Sequence, residues 1–347
     1  MTATLIFTDH ADYDNPEMIK ALCYGTSDEK SKDYGKRGFI GHGLTFTKSV
    51  FAKTKEPFSE EKIKKLLTSY GKVPAVRNRY NWQVFDEERG LSRTVPGLDN
   101  PCFRKIMLKL SKDGIEVCPH CLSWESVSRD EARKLILLFK PFKPKTWIDH
   151  GKNYCKNSLA FEGAKESSPY YVLDLLKKQG YEYAWAYQEY PFRGKLNLKE
   201  LDEKFIAYDQ EKKLWLFKTI ELKPSEVIFS KAYSPRNIDR FIETKGIHIA
   251  HVYFFQPVFE VPRKRFHFRG ERFFWYIKDF FKWKILGLNY SRRKEIPNGV
   301  LIWVNDHYEI DPKFDLCLKY IGEKQKEGKI IVTTIKNFFR SKNERHS

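Results

Sequence analysis

Several things are scarce in this chain of 347 residues, and each scarcity removes a class of protein. Six cysteines in such a length are too few for a disulfide framework, so free thiols in a reducing compartment are expected. No stretch approaches the ~20 apolar residues needed to span a bilayer, and the N-terminus lacks the charged-then-apolar order of an export signal. A cytoplasmic location is therefore the default expectation. No fixed-period repeat and no low-complexity tract is present, which argues against a solenoid. Acidic residues fall short of basic ones, 45 against 63, leaving a net charge of +18. That balance suits anionic partners: nucleic acid, an acidic glycan, a phosphorylated sugar or a membrane surface. No recognised nucleic-acid motif accompanies it, and lysine spread along helices reads as a solvated basic surface rather than a dedicated groove.

What is present is an alternation of short apolar strands with amphipathic helices. Residues 4–9 open the chain as a buried strand. A short helix over 15–24 and a glycine-punctuated strand over 38–51 follow, then a capped helix over 59–70. Further on come a helix over 101–111, a strand over 115–120 and a helix begun by the capping box Ser128-Arg129-Asp130-Glu131. A strand over 146–150, a helix over 170–179 and a strand over 183–187 continue the pattern. After a hairpin over 204–220, the alternation resumes with helix 235–244, strand 247–254, strand 300–304, helix 313–326, strand 329–333 and a short last helix. Such alternation predicts a mostly parallel sheet, open or closed into a barrel. One domain is expected over 1–347, with insertions near 73–97, 191–222 and 257–298. The aromatic and basic stretch 263–284 could lie on a membrane interface or stack on sugars, but aromatics on nearly every side of one helix point to burial between layers.

The candidate chemistry sits where strands end. Asp9, His10 and Asp12 close the first strand; His120, His150 and His251 end or follow later ones, and His307 stands in Asn305-Asp306-His307 after another. A lone histidine is more often structural, and Asp12, Asp14 and Asn15 read equally well as turn and cap residues. Several imidazoles at one level of a sheet can converge, however, and with a carboxylate they suit zinc, iron, cobalt or nickel, with an open position for a hydrolytic water.

The order of these segments resembles the polysaccharide deacetylase family, the NodB homology domain. Phe7-Thr8-Asp9-His10-Ala11-Asp12 looks like a divergent form of its aspartate pair, and Gly114-Ile115-Glu116-Val117-Cys118-Pro119-His120 resembles the first half of its histidine motif. At the second half the chain departs, with Trp124 where that family has another histidine. The family's arginine-bearing segment falls on Lys145 to Gly151, which has no arginine. The resemblance implies an α/β fold, a distorted (β/α) barrel of about seven parallel strands with an inserted hairpin and helical segments. It implies metal-dependent removal of an acetyl group from a carbohydrate, anionic or lipid-linked forms and a peripheral membrane contact included. By its alignment Asp9 is the general base, His251 the general acid with His307 second, and the metal ligands come from Asp12, His10, His120 and His150. The cofactor it implies is a divalent transition metal, zinc first, then cobalt, nickel or iron. A glycan-binding protein with a degenerate site is the non-enzymatic alternative, motivated by Trp124 and the missing arginine.

Cys118-Pro119-His120-Cys121 supports a competing redox reading, since it resembles the active site of thiol-disulfide oxidoreductases. Against it, the capping box places the next helix start at Ser128 rather than at Cys118. A structural zinc held by cysteines is the weakest alternative.

Overall fold

The apolar run at the N-terminus becomes the strand from which the rest is laid out. In the computed structural model, which describes residues 2–59, 61–63, 92–150, 155–185, 189–190, 206–222, 228–256, 258–259, 295–296 and 299–343, β1 (Ala3–Asp9) is buried at every position. A strand covered on both faces needs a continuous apolar run rather than an alternating one, and Leu5-Ile6-Phe7 supplies it. In chain order there follow β2 (Thr47–Val50), β3 (Glu116–Pro119), β4 (Thr146–Ile148), β5 (Tyr183–Trp185), β6 (Glu189–Tyr190), β7 (Ile206–Asp209), β8 (Leu214–Phe217), β9 (Thr219–Leu222) and β10 (Ile247–Val252). Then come β11 (Val258–Phe259), β12 (Glu295–Ile296), β13 (Leu301–Val304), β14 (His307–Ile310) and β15 (Ile330–Val332).

The central sheet runs β3-β2-β1-β10-β9-β6, and all its pairs are parallel. β15 also pairs with β1, through Ala3 to Leu5, while β2 meets the same strand further along, at Thr8 and Asp9. A second sheet runs β4-β5-β8-β7, parallel except for the β7–β8 hairpin, which is the hairpin expected from the sequence. The sheets touch at a parallel bridge between His120 and Ile148, where the Cys121 N–H donates to the Ile148 carbonyl at 2.7 Å. Lys218 alone separates β8, in the second sheet, from β9 in the first. Two antiparallel pairs, β11–β12 and β13–β14, stand apart, so among the described residues the strands form a mixed α/β fold with a mostly parallel central sheet, divided into four sheets with no closed ring.

Helices cover the outer face of this sheet. Phe7 packs against Phe39, Tyr233 and Phe254 with ring centroids 5.0–6.1 Å apart, all fully buried. Helix Pro16–Tyr24 begins with Asn15, whose side chain accepts from the N–H groups of Glu17 and Met18, and ends at Gly25 in the left-handed region at φ +88°. The expected strand over 38–51 is shorter than the sequence suggested. Its first part is a helical turn, Gly38–Gly41, because Asp315 of helix Pro312–Lys326 accepts from the Gly38 N–H and from His42 Nε2, at 2.9 and 2.8 Å. Gly38 itself sits at φ +72°, and a Cβ there would stand 2.4 Å from the Leu22 carbonyl. β13 also differs from expectation: it pairs antiparallel with β14 in a separate hairpin rather than joining the parallel sheet. Most of helix 59–70, most of the segments 73–97 and 257–298, and the whole aromatic stretch 263–284 lie outside the described residues. No described helix is long and apolar enough to cross a membrane.

One buried carboxylate shows how the loop beyond β4 is fixed. Asp149, fully buried, accepts from Trp147 Nε1 at 2.8 Å and from the N–H groups of Leu159 and Ala160 at 2.7 and 2.9 Å. Burial pushes its carboxyl up to about 6, against the pull of these donors. Asp149→Ala would strand three donors in a dry interior, and we expect it to destabilise the protein by about 3 kcal/mol or more in urea unfolding.

Candidate metal centre

At the carboxyl ends of β1, β3, β4 and β10 four histidines meet. His10 lies flat against His251, ring centroids 3.5 Å apart and 17° from parallel. Its ring also lies 4.7 Å from that of His120, which in turn is 5.0 Å from His150. All four are at most 4 % exposed. Each follows from strand placement: His10 is the first residue beyond β1, His120 the first beyond β3, and His150 the second beyond β4, while His251 is the penultimate residue of β10. Phe51, Trp124 and Trp185 wall the cluster, with ring centroids 4.8–5.4 Å from its imidazoles, and Phe51 lies 5.7 Å from Trp124.

Asp12 enters this group from the short turn Ala11–Tyr13. Its two carboxylate oxygens face two imidazoles, Oδ2 at 3.1 Å from His120 Nε2 and Oδ1 at 3.1 Å from His150 Nε2. Burial works to raise its pKa, but the hydrogen bonds to His120 and His150 outweigh it and hold the carboxyl well below its usual range. Desolvation acts oppositely on the bases. It lowers His120 to about 4, and it holds His10 well below the ordinary imidazole value with help from the neighbouring His251 and His120. His10, Asp12 and His120 offer ligand atoms that all lie within 4.8 Å of one another, a group able to hold a metal ion.

Hydrogen-bond accounting tests the fit. His150 Nδ1 lies 3.1 Å from the Trp124 carbonyl oxygen, which can only accept, so Nδ1 carries the proton. In a neutral ring Nε2 is then a bare lone pair, aimed at a carboxylate oxygen 3.1 Å away. Two acceptors in that position need a positive centre between them, either a proton that charges the ring or a cation. Metal bonds of roughly 2.0–2.1 Å at a tetrahedral angle put neighbouring ligand atoms about 3.3 Å apart, close to the 3.1 Å between each Asp12 oxygen and the imidazole it faces. Among the described residues neither ring nitrogen of His10 and no group at His120 Nδ1 completes a hydrogen bond, although all three are buried. Buried polar atoms left in this state are costly, and a bound water or ion would satisfy them.

The remaining site expectations divide. His251 joins the cluster through its stack on His10. Asp9 does not face it, because successive strand residues point to opposite sides and Asp9 shares the outer face with Phe7. There its carboxylate meets Lys48 Nζ at 2.8 Å and accepts from the Phe254 N–H at 3.2 Å, fully buried. His307 lies in the β13–β14 hairpin with partners of its own, Asp306 Oδ1 at 3.2 Å and Glu309 Oε1 at 3.3 Å. It borders a cleft of about 300 Å³ shared with Glu17, Ser27, Asp28, Trp303 and Asp306, none of them among the histidine-cluster residues.

Cys118 and Cys121 are free, buried thiols whose pKa values burial pushes well up, the reverse of what an attacking thiolate needs. Cys121 instead receives the His150 N–H at 3.1 Å and lies 3.2 Å from Ser158 Oγ. The next helix begins at Arg129, capped by Ser128, as the capping box indicated.

Two participants escaped the sequence reading. Trp124, taken as a lost histidine, contributes its carbonyl to His150. Lys48, not singled out from the sequence, is fully buried between Asp9 and Asp14. The available signal was a lysine in a strand with Phe46, Val50 and Phe51 around it. The chain matches no protein-family model, and no curated protein or solved structure is significantly similar to it.

Proposed function

We propose that this chain is a metal-dependent hydrolase of the polysaccharide deacetylase type, removing an acetyl group from a carbohydrate or a related amide or ester. The observation that carries the reading is Asp12 set between His120 and His150, with the His150 ring turned so that Nδ1 faces the Trp124 carbonyl and Nε2 faces the carboxylate. In this reading Asp12 and His120 would hold the ion together with His10, whose ligand atom lies within 4.8 Å of theirs, or with His150, which faces the other Asp12 oxygen, zinc first by its preference for imidazole and carboxylate. The Trp124 carbonyl fixes the ring orientation of His150, as outer partners of metal-bound histidines do. The His120–Ile148 bridge and the short step from β8 to β9 support a distorted barrel of about seven strands, since together they lead from one sheet into the other at two places.

A divalent transition cation in this position supplies polarisation of the acetyl carbonyl and a water acidic enough to attack it near neutral pH. The chain's own groups do the rest. Asp9, on the other face of β1, is not placed to take the proton given up by the attacking water, so an imidazole of the cluster that does not hold the ion would take it. His251, stacked on His10, protonates the departing nitrogen or oxygen. Phe51, Trp124 and Trp185 keep bulk water from the reacting atoms. The basic surface favours anionic or lipid-linked sugars as substrates.

Acetate release from a panel of N- and O-acetylated sugars, with zinc, cobalt or nickel added, tests the reading. Release that depends on added metal and disappears in Asp12→Asn supports it. Absence of release across the panel, in protein that takes up no metal, removes it.

A further inference from the structure

Among the described residues Lys48 is the one lysine in the set of largest fully buried side chains, and it makes no contact with solvent. Its ammonium lies 2.8 Å from Asp9 Oδ2, 2.5 Å from Asp14 Oδ1 and 3.5 Å from the His10 carbonyl oxygen. Those two carboxylates bracket the loop that carries His10 and Asp12. Between them the turn Ala11–Tyr13 is closed by the Asp14 N–H donating to the Ala11 carbonyl at 3.1 Å, and directly after them Asn15 starts the helix Pro16–Tyr24. Both ends of a four-residue loop are therefore tied to one atom on β2. The Ser49 hydroxyl, next along that strand, donates to the Asp9 carbonyl at 3.0 Å and adds a second tie.

We propose that Lys48 is the positioning residue of this centre: by clamping Asp9 and Asp14 it sets the height and angle at which Asp12 stands between His120 and His150. The clamp lies on the helix-facing side of the sheet and the imidazoles on the other, so Lys48 acts through the backbone of the loop and touches no reacting group. A charge buried only to satisfy its neighbours would leave the loop geometry unchanged once the neighbours were neutralised with it. A clamp would not. The functional consequence rests on the hydrolase reading, but the placement of Asp12 does not.

The test uses the full chain with cobalt(II) as probe, in wild type, in Asp14→Asn, and in the triple variant Lys48→Met with Asp9→Asn and Asp14→Asn. The triple variant removes the clamp while leaving no uncompensated charge buried. We expect it to fold, as read by circular dichroism, yet to bind cobalt 10- to 100-fold more weakly with an altered visible spectrum, the scale found for groups that orient metal ligands. Folded triple variant with wild-type affinity and spectrum overturns the proposal. Should the triple variant not fold, Asp14→Asn decides, since it releases one end only: a several-fold loss of cobalt affinity supports the clamp and an unchanged affinity overturns it. If wild type takes up no cobalt, the hydrolase reading fails by itself. The ring ¹⁵N signals of His120 and His150 in metal-free protein then decide for Lys48, moving in Asp14→Asn if the clamp is real and staying put if it is not.

Discussion

Asp12→Asn is expected to lower the affinity for zinc by on the order of 10²- to 10³-fold, and with it any metal-dependent hydrolysis. Apparent binding energies of roughly 10–16 kcal/mol for four-ligand zinc sites correspond to about 2.5–4 kcal/mol per ligand, which sets that scale. The substitution is nearly isosteric, so the fold has little reason to suffer. What changes is that one of two acceptors facing His120 and His150 becomes an amide, and the negative charge opposing the cation is lost. His120→Ala should match it in metal affinity. Isothermal titration with zinc reads both, and a wild-type affinity in either variant would exclude that residue as a ligand.

The second large effect is on stability against pH in metal-free protein. His120 has a folded pKa of about 4, below its ordinary value near 6.5, because burial disfavours the imidazolium. Between those values the unfolded chain binds a proton there that the folded chain does not. Stability from this group is therefore present above pH 6.5 and is lost as pH falls toward 4, by about 3 kcal/mol in all. His10 acts in the same direction. Asp149 acts in the opposite one, since burial raises its carboxyl to about 6 and favours the folded state at low pH. The quantity to read is consequently a difference. His120→Asn should show a shallower loss of stability than wild type over this range, seen as melting temperatures that converge as the pH is lowered. Parallel curves would mean that His120 is not held neutral by its surroundings.

How much of this could be read from the chain follows from which physical rule governs each residue. Burial of β1 was legible because a run such as Leu5-Ile6-Phe7 has no exposed phase. Convergence of His120, His150 and His251 was legible because parallel strands place their carboxyl ends at one level, so repeated position becomes shared location. Asp9 and His10 were not separable in that way. They are adjacent, and which of two neighbours faces inward depends on the phase of the strand, which packing of Phe7 against Phe39, Tyr233 and Phe254 decides. His307 failed for a different reason. The strand before it looked like others in the alternation, but Asn305 with φ +54° and Asp306 turn it into a hairpin with its own partner. Trp124 shows the limit of reading by side chain alone, since the group it contributes to His150 is a backbone carbonyl that any residue carries.

The division of the strands has the same character. Local pattern gave the elements and the β7–β8 hairpin, whereas the way β8 passes through Lys218 into β9, and β3 meets β4 at His120, depends on tertiary pairing. Cys118 and Cys121 likewise carried a redox spacing whose chemistry their burial removes.

The most direct measurement is anomalous X-ray scattering from a crystal of the full chain grown with zinc, collected on either side of the zinc absorption edge. The expected result is a single strong peak at roughly 2.0–2.2 Å from an Asp12 oxygen, from Nε2 of His120 and from a ring nitrogen of His10 or His150. A crystal with no peak there, and Asp12 still hydrogen-bonded directly to both rings at high zinc concentration, would contradict the account.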